Sequence, residues 1–176
     1  MTTTADQLKR WIIDVPDFPK PGIMFRDMTP LLRDGRALRR VIDQLSRRYA
    51  HRRIDVVVGV EARGFLLAAS LADRLHAGLV PVRKQGKLPR TTARVVYQLE
   101  YGTDALEIHA DAIRPGERVL VVDDVLATGG TMRAVTTLVE RLGGRIVELA
   151  FLIELTALKG RARLRRHPVH ALLRYT

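Results

Sequence analysis

The sequence predicts an α/β fold: a single domain with a central, mainly parallel sheet flanked by helices. Three observations predict it. Two short runs, IDVVVGV at 54–60 and RVLVVD at 118–123, are almost continuously apolar, as strands buried on both faces of a parallel sheet are. Each is followed by a stretch with apolar residues at helical spacing, 64–77 and 131–142, and then by a second apolar run, 79–82 and 146–153. A strand–helix–strand unit that occurs twice covers a parallel sheet with helices and places ligands at the strand C-termini.

The elements follow in order. Residues up to Trp11 predict a short helix. The stretch 14–30, DVPDFPKPGIMFRDMTP, is broken by Pro16, Pro19, Pro21, Gly22 and Pro30. It excludes regular helix and a central strand, and ordered loops of this length are often functional. Leu38, Val41, Ile42, Leu45 and Tyr49 then recur at helical spacing. After the first strand–helix–strand unit, RKQGKLPRTTAR at 83–94 reads as an exposed, mobile basic loop. The runs 95–99 and 105–109 read as a hairpin with Gly102 in its turn. The second unit completes the predicted sheet. The domain line is thus 1–176 as one body, with a small N-terminal hood at 1–33 and a flexible loop and hairpin at 83–104.

Bulk properties exclude several classes. The chain has 176 residues, 47% apolar and 28% charged, enough for a core of its own and unlike a disordered tail. No apolar run approaches the ~18 residues of a membrane helix, and the N-terminus lacks the pattern of a secretory leader. There are no cysteines, hence no disulfide, thiolate nucleophile or cysteine zinc site. The expected location is cytoplasmic. The net charge of +11 suits a polyanionic partner, and Arg161, Arg163, Arg165, Arg166 and Arg174 cluster near the end without an acid among them. With no aromatic platform interleaved, that cluster reads as a solvated basic tail and not as a nucleic-acid surface. His51, His76, His109, His167 and His170 are scattered and form no metal cluster.

The chemistry concentrates in VVDDVLATGGT at 121–131. An apolar strand ends in Asp123 and Asp124, the loop Ala127–Thr128–Gly129–Gly130–Thr131 follows, and helical periodicity begins. A helix start offers free N–H groups and a positive dipole end, which suit a phosphate. The glycines let backbone approach the anion, and Thr128 and Thr131 add hydroxyls. Carboxylates only accept hydrogen bonds, so Asp123 and Asp124 suit a diol. A phosphorylated ribose carries both groups. No Gly-Lys-Ser/Thr follows, so this is not a Walker loop.

VVDDVLATGGT also resembles the loop of type I phosphoribosyltransferases that binds 5-phosphoribosyl 1-pyrophosphate (PRPP). DFPKPGIMFRD, GVEARGF, RKQGKLPR, YQLEYGTDALEIHADAI and ELTALKGR resemble, in order and spacing, the adenine-specific branch of that family. The resemblance covers about residues 14–164. It implies a magnesium-dependent transfer of the phosphoribosyl group from PRPP to adenine, yielding AMP and pyrophosphate in purine salvage, by a homodimer.

The resemblance also implies residue roles. Glu61, Ala62 and Arg63 form the pyrophosphate loop, in which the family can carry a non-proline cis peptide; Glu61–Ala62 is the matching bond. Arg83, Lys84 and Lys87 are further pyrophosphate contacts. Glu100 moves a proton at the imidazole edge of adenine, and Tyr101 closes the site or positions ribose or the nucleophile. Met24, Phe25 and Arg26 bind the base, partly through backbone, and Leu155 packs on its other face. Magnesium is carried mainly by substrate oxygens and water. Two alternatives stay open: an enzyme for another purine, and a PRPP-sensing, nucleic-acid-binding regulator.

Overall fold

The computed structural model describes residues 4–98 and 103–176. The chain divides into two compact units, 1–44 and 45–176.

The first unit holds α1 (Thr4–Lys9), β1 (Ile13–Val15), β2 (Phe25–Asp27), α2 (Thr29–Arg33) and most of α3 (Gly35–Tyr49). The proline-broken stretch is not a uniform loop. β1 and β2 pair antiparallel, with Val15 opposite Phe25 and Ile13 opposite Asp27. The chain between them turns at Gly22, whose N–H donates to Asp17 Oδ1 at 2.7 Å. The Phe18–Pro19 bond is cis. Pro30 stands in the first turn of α2, where a missing N–H costs nothing. Asp34 accepts the N–H groups of Arg36 and Ala37 at 3.0 and 2.8 Å, starting α3. Leu8, Met28, Leu31 and Val41 are fully buried.

The second unit is a seven-stranded sheet. Its elements are β3 (Val56–Val60), α4 (Gly64–Leu75), β4 (Gly78–Lys84), β5 (Thr92–Gln98), β6 (Thr103–His109), β7 (Arg118–Leu126), α5 (Gly130–Arg141), β8 (Arg145–Leu155) and β9 (Val169–Tyr175). Short 3-10 turns at Thr156–Leu158 and Gly160–Leu164 join the last two. The strand order is β5-β6-β4-β3-β7-β8-β9. β4, β3, β7, β8 and β9 run parallel, and the β5–β6 hairpin joins β4 antiparallel. Val58, Val121, Val135, Leu138, Leu149 and Phe151 share one fully packed core cluster. Burial of such side chains, at ~25 cal/mol per Å² of apolar surface, drives the sheet and α5 together.

The expected α/β class and both strand–helix–strand units are present. Three expectations need correction. β4 continues to Lys84 and β5 begins at Thr92, so the basic loop shrinks to 85–91. β7 runs on to Leu126, so Asp123 and Asp124 lie inside the strand and not at its end. The basic tail contains β9, paired with β8 from Leu149↔Val169 to Leu155↔Tyr175.

The strand order creates the site. α4 carries the chain from β3 to β4 on one side, and α5 carries it from β7 to β8 on the other. β3 and β7 are neighbours whose crossovers diverge, which opens a crevice beyond their C-termini.

Candidate active site

Two loops border that crevice: the turn after β3 and the loop after β7. In the first, the Glu61–Ala62 bond is cis, and Arg63 stands just before α4. Arg63 Nε lies 2.7 Å from Asp124 Oδ2, and the Asp124 side chain is only 9% exposed. At Gly64 a Cβ would meet Asp123 Oδ1 at 2.8 Å and Val122 O at 3.1 Å, so only glycine lets the start of α4 come this close to β7. Asp123 Oδ1 accepts the N–H of Asp124 at 2.8 Å. Burial, and then the adjacent Asp124 carboxylate, push the Asp123 carboxyl well above its ordinary range. One acid of the pair thus favours its proton while the other faces an arginine.

Ala127, Thr128 and Gly129 form the second loop, and Gly130 and Thr131 open α5. This loop is shorter than the expected 127–131. Gly129 is left-handed at φ 81°, a conformation that glycine adopts freely. The first turn of α5 carries no acidic residue, so nothing there opposes an anion at its N–H groups. Burial pushes the phenol of Tyr97 in the hairpin upward, and the nearby Thr131 opposes that shift.

The basic residues expected to face pyrophosphate gather around Glu61. Its Oε1 accepts from Lys87 Nζ at 2.8 Å and from Arg83 Nη2 at 3.2 Å, and its Oε2 accepts the N–H of Lys84 at 2.9 Å. Lys84 Nζ turns instead to Asp104 at 3.1 Å, which raises the ammonium above its usual value. Burial alone would raise the Glu61 carboxyl, but these donors outweigh it and hold it down at about 2. The folded value lies below the unfolded one. Its stabilising contribution is therefore complete above the ordinary glutamate range and fades as pH falls toward the folded value. Denaturation of Glu61→Gln beside the parent chain is expected to differ at about pH 7 and to converge only below about pH 2.

Phe25 and Arg26 lie in β2, and Met24 directly precedes it, 45% exposed. The Phe25 ring meets Phe18 edge-on at 5.1 Å, and Arg26 is ion-paired with Asp14. Leu155 ends β8. Glu100 and Tyr101 lie outside the described residues. Among the described residues no three His, Asp or Glu side chains form a metal cluster. The adjacent carboxylates of Asp123 and Asp124 are hard oxygen donors of the kind magnesium takes.

Sequence reasoning missed three residues beside this site. Gly160 lies against Ala127 and Gly129, and Arg161 forks onto Glu154. ELTALKGR marked the segment, but a glycine in a motif does not show which backbone it touches.

Comparison with known proteins agrees with this geometry. A family model described as "Phosphoribosyl transferase domain" matches residues 30–171. The chain is 56% identical over 172 residues to an adenine phosphoribosyltransferase of Chloroflexus aurantiacus, covering 98% of this chain and 99% of that one. It is 59% identical over 170 residues to the Geobacter metallireducens adenine phosphoribosyltransferase, covering 97% and 99%. Among solved structures, adenine phosphoribosyltransferase from Thermoanaerobacter pseudethanolicus superposes with a TM-score of 0.95 at 49% identity, covering 98% of this chain and all of that one. The Saccharomyces cerevisiae enzyme, complexed with an imino-altritol bisphosphate and adenine, does so at 0.91 and 42%, covering 96% and 98%.

Proposed function

The chain belongs to the phosphoribosyl transferase family, and from this premise we propose that it transfers the 5-phosphoribosyl group of PRPP to adenine, giving AMP and pyrophosphate. The observation that carries the reading is the 2.7 Å meeting of Arg63 with Asp124, in the strand that leads into Gly129 and the start of α5. One crevice then offers a cation for a diphosphate, carboxylates for a diol and a helix start for a phosphate.

The residues divide the work by charge. The N–H groups and hydroxyls of Ala127, Thr128, Gly129, Gly130 and Thr131 hold the 5-phosphate. Asp123 and Asp124 accept hydrogen bonds from the ribose hydroxyls. Arg63 exchanges Asp124 for pyrophosphate, and Arg83 and Lys87 exchange Glu61 for it. Asp123 and Asp124 are the acids that would face a magnesium ion, which would supply neutralisation of the charge on the leaving pyrophosphate. As the bond from the anomeric carbon to pyrophosphate oxygen breaks, pyrophosphate leaves with the electron pair and the carbon gains oxocarbenium character. A ring nitrogen of adenine closes on that carbon. Glu100 moves a proton at the imidazole edge, with Tyr101 closing the site. Met24, Phe25 and Arg26 are assigned to the base, and so, by its own motif, is Leu155. The chain acts as a homodimer, in the cytoplasm, with small molecules and not nucleic acid as partners.

One assay tests the reading. With PRPP, magnesium and equal adenine and hypoxanthine, AMP is the expected product. Glu100→Ala is expected to bind PRPP as the parent chain does while losing about 10²-fold or more in turnover. Conversion of hypoxanthine but not adenine would overturn the base assignment. PRPP binding without turnover in the parent chain would favour a regulator.

A further inference from the structure

The phosphate loop is gripped from behind by a part of the chain thirty residues downstream. Gly129 and Gly160 meet backbone to backbone: a Cβ on Gly129 would lie 2.6 Å from Gly160 O and 3.3 Å from its Cα. A Cβ on Gly160 would strike Ala127 O and lie 3.0 Å from Gly129 N. Neither side has room for a methyl group, so the position of Gly160 dictates the position of 127–129.

Arg161, the next residue, fixes that position. Its Nε and Nη2 donate to the two oxygens of Glu154 at 2.8 and 2.6 Å, and its Nη1 donates to Val169 O, where β9 starts, at 2.7 Å. The Glu154 side chain is 7% exposed and also meets Arg174 Nε of β9 at 3.3 Å. Thr156 Oγ1 donates to Tyr175 O at 3.0 Å, tying the other end of the turn to β9. Glu154 is itself the register partner of Leu126, the last residue of β7 before the phosphate loop. The contacts close a ring: Leu126, the loop 127–129, Gly160, Arg161, Glu154 and back to Leu126. A planar guanidinium held at three points transmits position better than a single flexible ammonium.

We infer that Glu154, Arg161 and Gly160 are positioning residues that set the phosphate loop for the 5-phosphate of PRPP. None of them touches the ligand. They act by holding the loop amides where a phosphate needs them, so their loss appears in phosphate affinity before it appears in the fold. This inference rests on the phosphoribosyltransferase reading of the loop.

The test is steady-state kinetics with PRPP varied at saturating adenine, beside AMP binding by calorimetry. Arg161→Ala is expected to raise KM for PRPP about tenfold and to weaken AMP binding similarly, with kcat within about threefold. Arg161→Lys is expected to recover part of both. Gly160→Ala is expected to have a larger effect in the same direction; if it fails to fold, the arginine pair of variants still decides. A merely structural role would lower the melting temperature and the active fraction while leaving KM unchanged. An unchanged KM and AMP affinity in Arg161→Ala, with an active parent chain, would overturn this inference alone. A parent chain that neither binds AMP nor makes it from PRPP and adenine would overturn the phosphoribosyltransferase reading, and this inference with it.

Discussion

Joint replacement of Asp123 and Asp124 by asparagine is expected to abolish AMP formation, lowering turnover by about 10³-fold or more, while the protein stays folded. The two halves act differently. Burial and its neighbour already favour the neutral form of Asp123, so an amide there replaces a group that folding does not want charged. Asp124 is the charged partner of Arg63, and its loss leaves that guanidinium without its 2.7 Å carboxylate. Each amide keeps one acceptor oxygen but puts an NH₂ donor where the carboxyl had a second oxygen, and the negative charge of Asp124 that steadies a cationic sugar would be gone. Turnover, PRPP affinity and a thermal melt measured together check this. Unchanged kinetics would place the ribose elsewhere.

Arg63→Met is expected to cost about 10²–10³-fold in turnover, the scale of removing one directed donor from a developing anion. Pyrophosphate affinity in the reverse reaction should fall with it, whereas AMP affinity should hold. Arg63→Lys is expected to recover little. The contact with Asp124 is made by Nε, within a planar fork, and an ammonium offers a point charge in its place. The methionine variant also leaves the largely buried Asp124 carboxylate unpaired, so its melting temperature should drop. That drop is expected to be modest, because the arginine itself is 37% exposed and water screens the pair.

The legible parts of the fold were those where burial writes a long pattern. β3, α4, β7, α5 and β8 carry apolar runs or helical stripes that solvent exposure would not permit. β1 and β2 span three residues each, too few for alternation to register. α2 was hidden by Pro30, which ends helices in their interior but suits their first turn. β9 was hidden by charge: VHALLRY alternates weakly, and the surrounding arginines drew the segment toward a solvated tail. Two of those arginines, Arg161 and Arg174, turn out to meet the buried Glu154. At the site, the acids, glycines and threonines of 121–131 were legible as a pattern because they crowd one strand end and the loop after it. Gly160 was not, because backbone contact between distant glycines leaves no mark on side-chain type.

The ion pairs around the crevice also change what the net charge of +11 means. Arg63 faces Asp124, Arg83 and Lys87 face Glu61, Lys84 faces Asp104, and Arg161 and Arg174 face Glu154. Six cations face four carboxylates there, so from a distance most of that charge cancels and most of the far field comes from basic residues elsewhere on the surface. That field is screened within ~8 Å at physiological ionic strength. Under the proposed roles, a phosphorylated ligand would be met less by long-range attraction than by ion exchange with the carboxylates already paired to Arg63, Arg83 and Lys87. Added salt should then slow its capture less steeply than so basic a chain would suggest.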